Sequence, residues 1–564
     1  MIVGSAIFWF IVLCLKYNPF VSWLRDLRNE SKNKVIVIVS LFYKSPFFWL
    51  WLAAVPYKIL TKMETIQHAV FYMPLWYICP TGLCLIVWHY QLKHTWPGKK
   101  PDQIKEHIRG SIVAEEKGLV KALSKCTDDG CLPIVADIKI PVHYETTHFF
   151  TIGRPGCGKS QLFYRIIQKV MERGDKAVIY DFKGDQVAKF FDPEKHVLFN
   201  PFDSRCANWN IFNEIESPLD IRSISNSLIP ITGNDPYWSN AARDVFSGIL
   251  TACYQAGRNT NEDVYKCCNM PAKDLSEFLA RYKGTETATR HIAQDKAAQS
   301  ILSVMGSSTQ CFEYLRNITG DFSIKKWATD DKDRRSVFLT NYSEISDTIR
   351  PVLSLFIELA GKRVLSLPDD RQRRFFFFID EFGTLNNLPT IPVMLTNGRS
   401  KGVSVWIAIQ DMGQIEKIYG KETSQTILNS CATTFTFAVN DPYTADYLSK
   451  KIGDREIRQT NVSESTGARD SGPSQTTSQQ TLNERVVLPS QIMNMPNMTF
   501  LLKFPEYDVT PVGLDIVSLP DKSAAYMARD DIRLSVEKSG QEENKTPERE
   551  QEDAHRNEDN EFLI

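Results

Sequence analysis

Gly153-Arg-Pro-Gly-Cys-Gly-Lys-Ser160 has the form G-x-x-x-x-G-K-S, and its setting decides the fold. Before it, His148-Phe-Phe-Thr-Ile152 is an apolar, β-rich run. After it, Leu162, Ile166, Ile167 and Val170 share one face of a helix predicted over Gln161 to Arg173, and Gly174 supplies the stop. Strand, glycine loop and helix in that order frame a phosphate-binding loop. Small residues let successive backbone N–H groups close around a phosphate, and the helix N-terminus adds positive potential. The expected nucleotide contacts are Gly153, Arg154, Pro155, Gly156, Cys157, Gly158, Lys159, Ser160 and Gln161. Lys159 is expected to reach the β- and γ-phosphates, and the Ser160 hydroxyl to ligate Mg²⁺.

A second element completes such a site. Arg374-Phe-Phe-Phe-Phe-Ile-Asp-Glu381 reads as a fully buried strand ending in two carboxylates. Asp380 is expected to hold Mg²⁺, and Glu381 to polarise the water that attacks the γ-phosphate. Ser404-Val-Trp-Ile-Ala-Ile-Gln410 is an apolar strand ending in an amide, which places Gln410 to sense that phosphate. In Asn397-Gly-Arg-Ser-Lys-Gly402, Arg399 is expected to enter a neighbouring subunit's nucleotide site. No N/T-K-x-D guanine motif is evident, so ATP is preferred to GTP.

The strand-like runs order themselves as a parallel sheet with helices on both faces: Phe149–Ile152, Ala177–Asp181, Phe375–Asp380, Val403–Gln410, Thr433–Val439 and Thr499–Phe504. Between the second and third lies a long stretch of helical spacing. The fold class is therefore α/β, a nucleotide-binding domain with an inserted all-α domain. Asn461 to Thr481, rich in Ser, Thr, Gln and Gly, reads as an exposed flexible loop.

The chain's two ends differ in kind. Of 564 residues, the first ninety hold three apolar blocks at 2–15, 35–55 and 69–90, and the third has no charge over a bilayer's width. Lys93, Lys99, Lys100, Lys105 and Arg109 follow it, so the body is expected on the cytoplasmic side. Residues 537–564 carry ten Asp and Glu against four Lys and Arg, so an overall charge of −1 conceals a body of about +5. A modestly basic body permits a nucleic-acid partner. The acidic end cannot bury enough apolar area to fold alone, and its terminal Phe562-Leu563-Ile564 suits docking on a partner. The twelve cysteines form no C-x-x-C pair, which points to reduced thiols packed as small hydrophobes.

With these features together, the chain resembles the type IV coupling proteins of the TraD/TraG family. Beyond the phosphate loop, the resemblance is carried by Val178-Ile-Tyr-Asp181 with Gly184, and by Phe199-Asn-Pro-Phe-Asp-Ser-Arg-Cys-Ala-Asn-Trp209. It continues in Asp235-Pro-Tyr-Trp238, Ile379-Asp-Glu-Phe-Gly-Thr-Leu385, Leu388-Pro389 and Ala408-Ile-Gln410 with Ile418-Tyr-Gly420. The resemblance implies a RecA-like motor with an all-α insert, assembled as a homo-hexamer at the bacterial inner membrane. It implies ATP and Mg²⁺ as cofactors. Single-stranded DNA, a relaxase, a relaxosome accessory protein met by the acidic tail, and the type IV secretion channel are the implied partners. The corresponding layout is a transmembrane anchor at 1–92 with two spans and a motor at 93–212 and 327–520. The all-α insert takes 213–326 and a disordered acidic tail 521–564. Two rival readings share the motifs: a chromosome-partitioning translocase on double-stranded DNA, and a substrate receptor that is not a motor. The first usually carries a C-terminal winged-helix module, for which no helices are visible here.

Overall fold

The computed structural model describes residues 104–123, 130–231, 235–293, 295–465 and 474–532. The three apolar blocks and the acidic end at 537–564 lie outside these residues. Among the described residues, no helix is long and apolar enough to cross a membrane.

In chain order, β1 (Ile104–Gly110), α1 (Glu116–Leu123) and a short hairpin of β2 (Leu132–Pro133) and β3 (Lys139–Ile140) come first. They lead to β4 (Phe149–Ile152), α2 (Lys159–Arg173), β5 (Lys176–Asp181), α3 (Asp185–Phe190) and β6 (His196–Phe199). A run of helices follows: α4 (Pro218–Leu228), α5 (Pro236–Gln255), α6 (Asn261–Cys268), α7 (Ala272–Leu279), α8 (Glu286–Ile292), α9 (Asp295–Thr309), α10 (Phe312–Leu315) and α11 (Ile324–Thr329). The chain then returns through β7 (Ser336–Thr340), α12 (Ser346–Leu365), β8 (Phe375–Ile379), α13 (Thr390–Asn397), β9 (Val403–Ile409), α14 (Met412–Tyr419), α15 (Lys421–Ser430) and β10 (Thr433–Thr436). It ends in α16 (Pro442–Ile452), β11 (Asp454–Ser465), β12 (Ser474–Arg485), α17 (Pro489–Met493), β13 (Thr499–Lys503) and β14 (Thr510–Gly513).

The main sheet has the order β14-β13-β10-β4-β9-β8-β5-β7-β6. Pairing is parallel from β10 through β6, while β13 and β14 close the other edge antiparallel. Strands buried on both faces read as continuous apolar runs. In β8, Phe375, Phe377 and Ile379 enter the core on one face of the sheet, and Phe376 and Phe378 enter the core on the other. Trp406 of β9 stacks on Phe149 of β4 with ring centroids 3.8 Å apart. β6, β7 and β14 are not among the expected strands; β6 and β14 form the two edges of the sheet.

The helical insert hangs from a neck built by the Asn208-Trp209 end of the long family motif. Gly320 lies so close to Asn208 that a Cβ there would sit 2.4 Å from the Asn208 Cβ. Asn213 donates to the carbonyls of Gly320 and Phe322. The buried Glu214 carboxylate accepts from Ile324 N, Lys325 N and Trp209 Nε1 at 2.7–3.0 Å.

Two expectations are corrected. The stretch expected as a flexible loop, Asn461 to Thr481, lies largely in the paired strands β11 and β12, in register from Asp454↔Arg485 to Ser465↔Ser474. β1 pairs with β11 to make a separate three-stranded ribbon. The ladder pairs the backbone groups that face a partner strand, and the stretch's wealth of Ser, Thr and Gln leaves no apolar alternation to detect. The segment from residue 521, expected to be disordered, is ordered as far as it is described. Through Ile532 the chain is laid along the body, with Lys522 N on Ala188 O, Met527 O on Ser204 N, and Arg529 on the carbonyls of Pro201 and Tyr314.

Candidate functional site

The three expected site elements leave the sheet at the carboxyl ends of neighbouring strands. β9 lies between β4 and β8, so Gln410 comes between the phosphate loop and Asp380-Glu381. The loop starts at Gly153, whose N–H bonds Ile409 O at 3.2 Å. A Cβ at Gly153 would fall 2.5 Å from the Phe437 Cβ and 2.6 Å from the Cys157 Sγ. Gly158 has φ of 117° at the entry to α2, a conformation open to glycine at no steric cost. The first N–H groups of α2 have no acceptor within the helix, and that end carries the dipole's positive pole.

Lys159 is buried and donates to Gly153 O at 2.5 Å and Arg154 O at 3.3 Å. Its ammonium is thus held over the loop by two carbonyls that a phosphate oxygen can replace. Arg154 reaches outward to Asn497 Oδ1 at 3.0 Å and Asn440 Oδ1 at 3.5 Å. Cys157 is buried, and burial pushes its thiol pKa up, so it packs and does not act as a nucleophile. Gln161 accepts Val517 N at 2.7 Å, which ties the loop's helix to the C-terminal segment.

Across from Lys159, burial raises the pKa of Asp380 to about 7, helped by the nearby charges of Asp181 and Glu381 and opposed by Lys159. Glu381 is likewise pushed upward, chiefly by burial. Gln410 Nε2 donates to Glu381 Oε2 at 2.9 Å, and Glu381 Oε1 is buried with no partner among the described residues. One oxygen is fixed and the other is left to accept a hydrogen bond. That is the geometry of a carboxylate that orients a water.

The donor set fits Mg²⁺. A hydroxyl at the helix start and a carboxylate whose charge is disfavoured by burial and then by carboxylate neighbours are hard oxygen donors in need of a cation.

Asp181 was quoted among the family's residues but not expected in the site. It ends β5, the strand beside β8, and is fully buried. Its carboxylate accepts from the backbone N–H of Lys183, Gly184, Gln186 and Val187 at 2.7–3.2 Å. Even so, burial outweighs these bonds and raises its pKa to about 6. Only the strand order puts Asp181 next to Asp380, so no local signal could reveal it. The loop before β13 was also missed: Met498 N bonds Cys157 O at 2.8 Å and backs the phosphate loop.

Arg399 alone of the expected residues stands apart. It lies in the turn Gly398–Lys401 before β9, whereas Gln410 follows that strand. At about 3.3 Å per residue this is roughly 25 Å from the nucleotide end of its own subunit. The guanidinium is exposed and makes no hydrogen bond or ion pair among the described residues.

The family model for the type IV secretion-system coupling protein DNA-binding domain matches residues 133–515, well over half of the chain. The chain belongs to this family. Coupling protein TraD of Escherichia coli strain K12 is 27% identical over 411 residues, covering 71% of this chain and 56% of the relative. Protein VirD4 of Agrobacterium fabrum strain C58 is 27% identical over 308 residues, 50% of this chain and 44% of the relative. The chain thus spans about half the length of these relatives. Among solved structures, plasmid coupling protein TrwB in complex with ADP and Mg²⁺ is 25% identical with a TM-score of 0.65, covering 77% of this chain and all of that one. TrwB with a non-hydrolysable ATP analogue aligns with the same TM-score. The RecA-like P-loop sheet with a helical insert is therefore the fold of this family member.

Proposed function

We propose that this chain is an ATP-driven type IV coupling protein that receives a relaxase-bound single DNA strand and passes it to a conjugative secretion channel. The observation that carries the reading is the convergence of Lys159, Asp380 and the Gln410-held Glu381 at one sheet edge, in a chain of the coupling-protein family. Complexes of TrwB with ADP and Mg²⁺ and with an ATP analogue support ATP and Mg²⁺ as the cofactors. Ser160 and Asp380 would hold Mg²⁺, which when bound supplies positive charge to the phosphoryl oxygens. Lys159 exchanges its two carbonyl acceptors for phosphate oxygens, drawing on a donor already desolvated in place. Glu381 orients the attacking water through Oε1, and its raised pKa makes it a better proton acceptor. Gln410 fixes the other oxygen and connects hydrolysis to β9.

Arg399 acts in trans. Its distance from its own subunit's site and its unpaired, exposed guanidinium suit a ring in which each subunit completes the next. The finer assignments belong to the same proposal: a homo-hexamer, a two-span anchor within residues 1–92 at the bacterial inner membrane, and an acidic tail that meets a relaxosome accessory protein. Family membership favours this reading over the chromosome-partitioning translocase. A receptor without motor activity is separated by turnover.

The test is conjugal transfer with Lys159→Ala. Transfer is expected to stop while the protein remains in the membrane fraction at its normal level, since Lys159 stabilises phosphate charge and does not hold the fold. Normal transfer at normal expression would remove the motor reading.

A further inference from the structure

The neck of the insert accounts for the Asn208-Trp209 end of the motif that begins at Phe199. The charged middle of that motif has a different use. Asp203 is fully buried and takes the Arg205 guanidinium bidentately, Nε on Oδ1 at 2.9 Å and Nη2 on Oδ2 at 2.7 Å. That fork leaves Nη1 for other acceptors. It donates to Ser523 Oγ at 2.7 Å and Ala524 O at 2.8 Å. Asp203 Oδ2 also accepts Met527 N at 3.1 Å, and Ser204 N donates to Met527 O at 2.8 Å. An antiparallel β-bridge pairs Asp203 with Ala528. The middle of the motif is a seat for residues 523–529.

The chain that ends in this seat first touches two elements of the nucleotide site. Val517 N donates at 2.7 Å to the side chain of Gln161, the neighbour of Ser160 in α2. Lys189 of α3 donates to Leu519 O and Asp521 Oδ1 at 2.8 and 2.6 Å, and Lys522 N to Ala188 O at 2.7 Å. Ala525 lies over Gly184, where a Cβ would fall 3.0 Å from the Ala525 Cβ. Tyr342 Oη fixes Ala525 through its carbonyl at 2.6 Å. Gly184 has φ of 79° and belongs to the turn whose N–H groups hold the buried Asp181 carboxylate, on the strand beside Asp380. One segment thus bears on the start of the phosphate-loop helix and on the Asp181 turn.

A segment held mostly by polar contacts opens at a free energy well below that of global unfolding. We propose that residues 515–532 are a strap that positions the nucleotide site: seated on Asp203 and Arg205 it raises the affinity for ATP, and bound nucleotide keeps it seated. The inference rests on the ATP-binding reading of this site. Linkage makes the two effects equal in size. Released, the strap adds up to about 60 Å of reach, at about 3.3 Å per residue, to the acidic end that follows it in sequence. Nucleotide state then sets how far that end extends.

The test uses the full-length chain, a fluorescent ATP analogue with Mg²⁺, and hydrogen exchange read by mass spectrometry. Ala525→Leu sets a larger side chain against Gly184 and leaves every residue of the body unaltered. It is expected to weaken analogue binding about tenfold and to speed exchange across residues 183–187. Ending the chain after Leu514 should do the same, and ending it after Ile532 should do neither. In the unaltered chain, saturating analogue should slow exchange across residues 515–532 by a like factor. A segment that only adds stability would exchange at the same rate with and without nucleotide, and that result overturns the proposal. So does unchanged affinity in Ala525→Leu once its strap is shown by exchange to be displaced. Ala525→Leu decides alone if the chain ending at Leu514 does not fold. None of these readouts needs hydrolysis, so turnover indifferent to DNA would sink the motor reading and leave the strap result standing.

Discussion

Glu381 shows how one side chain is prepared by its neighbours. Gln410 holds one oxygen, the other is buried and free, and Lys159 faces the pair across the site. Glu381→Gln keeps the shape and removes the proposed base, so ATP should still bind while hydrolysis falls by about 10² to 10⁴. Nucleotide affinity and turnover measured on the same preparation check this; lost affinity would mean that Glu381 holds the loop. His148 gives a pH prediction of a different origin. It is buried, its Nδ1 accepts Val405 N at 3.2 Å, and burial, with Arg399 nearby, lowers its pKa to about 4. The neutral ring is the folded form. The unfolded chain takes up this proton first, so the stability is present above about pH 6.5 and lost as pH falls toward 4. Between about pH 7 and about pH 5 the loss from this residue is about 2 kcal/mol. Thermal melts of the unaltered chain and of His148→Gln at the two pH values should show it as a change of that size in the stability gap between the two proteins. His196, lowered to about 4 by burial and accepting Asp192 N at 3.0 Å, pushes in the same direction. Asp181 and Asp380, raised to about 6 and about 7, act in the opposite direction over the same range, so equal pH shifts in His148→Gln and the unaltered chain are the result that would contradict the His148 assignment.

Among the elements, the C-terminal segment after Leu514 is held mostly by polar contacts, with Leu519 and Ile532 packed against the core. No residue from Asp515 to Ile532 is buried, yet Tyr342 Oη donates to Ala525 O at 2.6 Å and Arg205 binds Ser523 and Ala524. Hydrogen bonds of this kind are each worth about 1 kcal/mol net. Ending the chain after Ile532 should therefore leave the melting temperature of the body unchanged, whereas ending it after Leu514 should lower stability by about 3 kcal/mol. Equal melting of the two truncations would show that the segment is bound without consequence. The same polarity made it read as tail. Local grammar made the rest of the site legible: glycine spacing for the phosphate loop, an apolar run ending in Asp380-Glu381, another ending in Gln410. What the sequence concealed was lateral. Asp181 meets Asp380 only because β5 is hydrogen-bonded to β8. The distal part of the ribbon of β11 and β12 is so poor in apolar residues that its two-residue period leaves no mark in the sequence. The motif ending in Asn208-Trp209 was distinctive in sequence, but its work, closing the neck on Gly320, was visible only once the insert was in place.

At the scale of the whole molecule, the proposed trans role of Arg399 can be tested directly. Arg399→Ala should leave ATP binding by single subunits nearly unchanged and collapse DNA-stimulated turnover. Trans-acting arginines in GTPases are worth about 10³ to 10⁵ in rate, and a loosely closed ring should show less. Mixing Arg399→Ala with Glu381→Gln should restore part of the activity, because some interfaces then pair an intact arginine with an intact glutamate. No recovery in rings shown to be mixed would leave Arg399 a surface arginine. The most direct measurement is simpler: steady-state ATP hydrolysis by the full-length chain, with and without single-stranded DNA. A DNA-driven motor predicts stimulation of several-fold or more that disappears in Lys159→Ala and Glu381→Gln. Hydrolysis indifferent to DNA, or surviving the loss of Lys159, would contradict it.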